Sequence, residues 1–163
     1  MKILLVCGNG GHAEQMSRLI DQIGDNLNIK FLSIVEEGTK LKNTNKIFDK
    51  TIHVVPLRPK AYHNIFITIG RSFFSIFQCF AVTIYLIVKY KYRLMISTGP
   101  GIAIPIAIMC KLFRCRIIHI ETWSRFYSKS WTGKYMYKLA TDFWVQNKEL
   151  LLIYPKAKFV GRL

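Results

Sequence analysis

Three features of the 163-residue sequence predict an α/β protein built on a doubly wound parallel sheet. Apolar runs of strand length alternate with segments long enough for helices. The runs are rich in Ile and Val and mostly continuous, as in strands covered on both faces. Glycine clusters follow the first and fourth runs, where a strand would hand over to a helix.

Taken in order, the first strand is Lys2–Cys7, apolar after its lysine, and Gly8 to Gly11 turn the chain into a helix over 12–23. Strands two and three are expected over 29–35 and 51–56, the latter closed by Pro56. A long apolar segment, Ile65–Tyr90, forms the helix before strand four at 94–98. Gly99-Pro100-Gly101 then opens a helix over 101–112. Strand five, Arg116–Ile120, leads through a polar loop to a helix over 133–140. Strand 142–146, a helix over 148–154 and strand 158–160 complete the series. No repeat or linker interrupts it, so residues 1–163 read as one Rossmann-like domain.

Half of the residues are apolar and a fifth are charged, which excludes a disordered basic tail. Twenty-four Lys and Arg against nine Asp and Glu give a net charge of +15. A cationic yet apolar surface suits anionic lipid, nucleic acid or a phosphorylated ligand. Cys7, Cys79, Cys110 and Cys115 form no CxxC pair, so neither a disulfide framework nor a metal site is expected. The apolar run after Lys2 is too short for a signal peptide, and the chain reads as cytosolic and reduced.

Four constellations could carry chemistry. Gly8-Asn9-Gly10-Gly11-His12 joins strand one to its helix, where glycines permit close backbone approach and a helix N-terminus offers free N–H groups to a phosphate. The same residues read as GxGxxA, with Glu36 ending strand two, so a dinucleotide site competes. A plain βα turn explains the glycines alone. His12, in the first helical turn, titrates near neutrality and is a candidate base.

The second constellation is the apolar helix within 64–92. From Ser72 to Val88 no residue is charged and four are Phe, a run of about 26 Å as a helix against a hydrocarbon core of about 30 Å. Ser72, Ser75, Cys79 and Thr83 fall on one face and the remainder is apolar. Arg58, Lys60 and Arg71 precede the run; Lys89, Lys91 and Arg93 follow it. Tyr62, Tyr85, Tyr90 and Tyr92 add rings suited to a membrane interface. No acid occurs from Lys50 through Ile120. A buried helix accounts for one apolar face but not two. The helix is therefore expected to pack one face on the sheet and to dock the other on the bilayer, through Arg71, Phe73, Phe74, Phe77, Phe80, Lys89 and Lys91.

Third, Ser97-Thr98-Gly99-Pro100-Gly101 repeats the strand–glycine–helix pattern. In a doubly wound sheet strands one and four are neighbours, so both glycine turns open on one cleft. Fourth, Glu121 follows strand five directly and is the only acid between Asp49 and Asp142, with Arg125, Lys129 and Lys134 beyond it. Thr132-Gly133-Lys134 does not make a Walker A loop, since Tyr135 stands where Ser or Thr is needed and Ser128 replaces the first glycine.

In order and spacing these stretches resemble the Alg14 family, which includes PssD- and Cps14F-type polysaccharide proteins. The match rests on Gly8 to His12 with Met16, Ser97 to Gly101 with Pro105, and Glu121-Thr122-Trp123-Ser124-Arg125. It continues through Ser130 to Lys134, Asp142 to Gln146, and Tyr154-Pro155 to Gly161. Asn147 departs from the pattern, where relatives often carry Trp.

The resemblance implies the N-terminal half of a split GT-B glycosyltransferase, docked on the cytoplasmic face of the membrane and inactive or weakly active alone. It would bind a polyprenyl-diphosphate-linked acceptor, for capsule, exopolysaccharide or lipid-linked oligosaccharide synthesis. An Alg13- or PssE-like partner would bind the UDP-sugar donor, and no other cofactor is implied. Gly8, Gly10, Gly11, Ser97, Gly99, Gly101, Arg125 and Lys134 would then meet the acceptor phosphates. His12 would serve as base, and Glu121 would orient His12 or the acceptor. Two other classes compete: a small NAD(P)-binding oxidoreductase, and a basic nucleic-acid binder, which lacks any recognisable nucleic-acid module.

Overall fold

The computed structural model describes residues 2–23, 29–41, 48–57 and 65–163. Arg58, Lys60 and Tyr62, expected to flank the long helix, lie outside them. The chain runs β1 (Lys2–Cys7), α1 (Gly11–Ile23), β2 (Lys30–Glu36), β3 (Phe48–Val54), α2 (Ile65–Tyr90), β4 (Leu94–Ser97) and α3 (Ala103–Leu112). It continues through β5 (Arg116–Ile120), α4 (Trp131–Leu139) and β6 (Asp142–Val145) to β7 (Lys158–Phe159). All strand pairs are parallel, in the order β3-β2-β1-β4-β5-β6-β7. This is the doubly wound, Rossmann-like sheet expected, reversing direction between β1 and β4.

Successive residues of β1 face opposite layers, which explains why the strand reads as an unbroken apolar run. Leu4 and Val6 pack with Cys79, Leu86, Met95 and Ile106 beneath α2, α3 and α4. Leu5 and Cys7 pack with Met16, Ile20 and Ile118 beneath α1. Beyond the core, Arg116 and Lys158 both grip Asp142, at 2.7 and 2.6 Å, and tie β5, β6 and β7 together.

Besides α3, which begins at Ala103 rather than at residue 101, three elements depart from expectation. β3 begins at Phe48, earlier than expected, and its exposure alternates because it is an edge strand. A register shift opposite Phe31 and Leu32 changes which layer the residues on either side of it face. Phe48 thereby joins the α1 layer, 5.8 Å from Phe31, while Ile52 packs on the other side. The helix expected over 148–154 is a single 3₁₀ turn, Lys148–Leu152, because Pro155 disfavours helical backbone at Tyr154. α4 starts two residues earlier than expected, since Ser130 caps it by accepting from the Gly133 N–H.

α2 is inverted relative to an ordinary core helix. Its buried stripe is Ser75, Cys79, Thr83 and Leu86, while Phe66, Phe73 and Phe77 are 80%, 69% and 70% exposed. The polar side chains of this stripe are hydrogen-bonded. Ser75 donates to the Val55 carbonyl at 2.6 Å, Thr83 donates to Cys79, and Gln78 accepts from the Val55 N–H. Small polar residues let the helix lie close on the end of β3, and the large apolar ones are left facing outward. Lys91, in left-handed backbone with φ 51°, ends the helix sharply and returns the chain to β4.

Candidate functional site: a cleft at the carboxyl edge of the sheet

The turns after β1, β4 and β5 converge on one cleft of about 800 Å³. His12, Gly99, Gly101, Glu121, Thr122 and Arg125 line one side, and Leu57, Ser72, Ile76 and Trp131 close the other.

His12 is fixed by β4. Its Nδ1 lies 2.7 Å from the Thr98 carbonyl, which can only accept, so the proton sits on Nδ1 and Nε2 keeps its lone pair. Thr98 Oγ1 returns a hydrogen bond to the His12 carbonyl at 2.9 Å. Burial lowers the His12 pKa, outweighing the opposing pull of the Thr98 carbonyl and the Glu121 charge, so the imidazole is neutral at physiological pH. The ring occupies the space a side chain at residue 99 would need. A Cβ there would fall 2.6 Å from His12 Cε1, and Gly99 also takes φ +122°.

Glu121 is 2% exposed and held at three points. Oε1 accepts from the Thr122 N–H at 3.0 Å, and Oε2 accepts from Ser130 at 3.1 Å and Tyr154 at 3.0 Å. Burial and the facing carboxylate push the Tyr154 pKa up, keeping its hydroxyl a donor. Gly133 completes this corner, because a Cβ there would overlap Glu121 Oε2 at 1.9 Å. Below it, Gln146 donates to Gln15 Oε1 at 2.6 Å and to the Glu121 carbonyl at 3.0 Å. Asn147 donates to the Trp123 carbonyl at 2.8 Å and holds the following loop, so the residue that departs from the family pattern has a structural task here.

Glu36 does not present itself to a ribose. Its carboxylate meets the Asn9 backbone N–H, and its Oε2 lies 2.7 Å from where a Gly8 Cβ would be. Burial raises its pKa. Gly8 is therefore required by packing against Glu36 and Pro100, and the feature that favoured a dinucleotide is consumed inside the turn.

The family model described as "Oligosaccharide biosynthesis protein Alg14 like" matches residues 3–163. The chain belongs to this family. Among its relatives, "UDP-N-acetylglucosamine transferase subunit ALG14" of mouse is 24% identical over all of this chain and 83% of its own length. The Kluyveromyces lactis protein of the same name is 27% identical over 99% of this chain and 78% of its own.

Solved structures share the fold at lower identity. Acinetobacter baumannii MurG superposes with a TM-score of 0.60 at 12% identity, over 88% of this chain and 40% of MurG. S. aureus MnaA, solved with UDP, gives 0.63 at 18%, over 98% of this chain and 43% of MnaA. The chain thus spans less than half the length of these larger proteins.

Within this Alg14-like fold the residues singled out by sequence divide in three. His12, Gly99, Gly101, Glu121 and Arg125 line the cleft together. Gly8 and Ser97 lie beneath it, Ser97 accepting from the Gly99 N–H at 3.2 Å. Gly10 and Gly11 are exposed at the start of α1, and Lys134 is exposed on α4; none of these lines the cleft. Glu121 makes no hydrogen bond to His12; the Thr98 carbonyl orients that ring.

Of the expected docking residues, Phe73, Phe74, Phe77, Lys89 and Lys91 are exposed, whereas Arg71 and Phe80 are half-buried. Phe66, Ile67 and Val88 extend the exposed face and were missed, because they lie at or beyond the ends of the Phe cluster. Ser130 and Tyr154 were missed as partners of Glu121. The Ser130–Gly133 capping spacing was a usable signal; the Tyr154 contact spans 33 residues and had none.

Proposed function

We propose that this chain is the acceptor-binding, membrane-docking subunit of a two-component UDP-sugar glycosyltransferase. An Alg13- or PssE-like partner would supply the donor site, and the acceptor would be a saccharide linked to polyprenyl diphosphate at the cytoplasmic membrane face. The name carried by the relatives, a UDP-N-acetylglucosamine transferase subunit, supports a UDP-sugar donor and a complex. The observation that carries the reading is the joining of two unlike surfaces: a polar cleft holding a neutral imidazole beside Arg125, and a helix that lines that cleft while turning its phenylalanines outward.

In the proposed reaction the acceptor hydroxyl gives its proton to His12 Nε2 as its oxygen bonds the anomeric carbon. UDP leaves with the electron pair of the broken bond. The Thr98 carbonyl stabilises the imidazolium that forms. Arg125, whose guanidinium donates to Ser128 at 3.1 Å, stands at the mouth where the acceptor diphosphate would enter. Glu121, anchored by Ser130 and Tyr154, shapes the cleft wall and adds negative charge near His12.

The test is an intact complex carrying His12→Ala. Turnover is expected to fall by about 100-fold or more with acceptor binding retained. Because a neutral base is needed and the His12 pKa lies below its ordinary value, the wild-type rate should hold as pH falls to about 6.5 and decline only below it. Full turnover in the variant would remove His12 from the chemistry.

A further inference from the structure

A second, wholly apolar groove of about 240 Å³ runs beside the cleft, bounded by Ile76 of α2, Ile104, Pro105 and Ile108 of α3, and Trp131 and Tyr135 of α4. It is not a separate feature. Leu57, Ile76 and Trp131 line both the groove and the cleft, so the two lie side by side and share one wall. Trp131 sits at the junction, its ring 5.1 Å from that of Tyr135. Both rings are about half exposed, as is usual for side chains at an interface between apolar and wet surroundings.

We infer that this groove takes the first isoprene units of the acceptor's lipid, leading the tail from the diphosphate in the cleft out between α2, α3 and α4 to the membrane. This rests on the acceptor-binding reading and deepens it. The polarity changes from cleft to groove in the order an amphiphile requires. The charged head meets Arg125 and the polar turns, and the hydrocarbon meets a lining with no charged residue.

The phenylalanine stripe of α2 is a poorer path. None of Phe66, Phe73, Phe74 or Phe77 lines either cavity, so a tail leaving that way would have to cross the helix. An apolar cavity of about 150 Å³ accepts a benzene ring. The groove therefore has room for about two isoprene units, and the rest of the chain would lie in the bilayer beside the exposed face of α2.

The experiment measures equilibrium binding of the full chain to inorganic diphosphate and to isoprenyl diphosphates of one to four units, below their micelle concentrations. Each of the first two units should tighten binding by about tenfold, with little gain after that. Ile108→Trp, at the exposed edge of the groove, should abolish the gain and leave diphosphate binding unchanged. A farnesyl diphosphate bearing a photoreactive group on its second unit gives a readout that does not depend on that variant folding. It should label the peptides around 104–108 and 131–135.

Diphosphate binding with no dependence on tail length, or labelling at 73–77 instead, would overturn the groove and leave the acceptor reading standing. Labelling that vanishes when bilayer lipid is added, with acyl chains occupying the groove, would also overturn it. If no member of the series binds, both readings fall.

Discussion

Gly133 and Glu121 are one structural decision made at two positions. The carboxylate reaches Ser130 and Tyr154 only because residue 133 has no side chain, and with the 1.9 Å overlap noted above Gly133→Ala cannot be absorbed by a small rotation. The variant should lose about 1–3 kcal/mol in denaturant unfolding and lower acceptor affinity by displacing the Glu121 wall. An unchanged unfolding midpoint would refute the packing described. Gly99→Ala is of the same kind, since it would push His12 off the Thr98 carbonyl.

His119, one strand-residue from the cleft floor, is fully buried, and neither ring nitrogen has a partner among the described residues. Burial, helped by the nearby His12, lowers its pKa from 6.5 to about 3. Unfolding frees the ring to bind a proton, so its cost to the folded state is absent above pH 6.5 and grows as pH falls from there toward 3. At pH 5 this amounts to about 2 kcal/mol. His119→Leu should remove that share of the acid slope, so that relative to wild type the variant gains about 2 kcal/mol between pH 8 and pH 5. Parallel slopes for the two proteins would show that the ring finds a proton partner in the folded state.

Among elements, α2 sets the character of the protein. An ordinary layer helix of an α/β protein buries its large apolar residues; here Ser75, Cys79 and Thr83 face the sheet and the phenylalanines face out. Two substitutions therefore have opposite outcomes to those of a core helix. Phe73→Ser with Phe77→Ser should leave unfolding nearly unchanged and weaken vesicle flotation on the order of 100-fold, two buried phenylalanines' worth. Ser75→Phe should destabilise the fold, because that hydroxyl lies buried on the Val55 carbonyl. Flotation unaffected by the double variant would assign the face to another partner.

The length, apolarity and small-residue stripe of α2 were all legible in the sequence. So was the outward turn of Phe73, Phe74 and Phe77; the limits of that face were not, since Arg71 and Phe80 are half-buried while Phe66, Ile67 and Val88 extend it, and periodicity locates a face without saying where its cover ends. The same limit applied to β3, whose edge position depends on strand order, and to the Glu121–Tyr154 contact, which depends on β6 and β7 closing over α4.

At the scale of the whole molecule, the parallel sheet explains why so much of the fold could be read in advance. Strands covered on both faces write themselves as continuous apolar runs, and the switch between β1 and β4 brings two glycine turns to one edge. The glycines themselves were harder to read. Gly8, Gly10, Gly11, Gly99 and Gly101 as a set suggested phosphate contact, yet Gly8 exists for Glu36 and Gly99 for His12.

With a net charge of +15 and no acid from Lys50 through Ile120, the α2–α4 side should prefer anionic vesicles over neutral ones. That preference should shrink between 50 and 500 mM salt, roughly, as charges are screened, leaving the apolar share of binding behind. A preference that survives high salt would point to headgroup-specific contacts instead.

The central claim is a division of labour, with this polypeptide holding the lipid-linked acceptor and the base while a companion delivers the nucleotide sugar. It is tested most directly by assaying sugar transfer on vesicles containing the acceptor, with the purified chain alone and then with the donor-binding partner added. The account predicts a rate near background for the chain alone and robust turnover for the pair. Sustained transfer by the chain alone would contradict it.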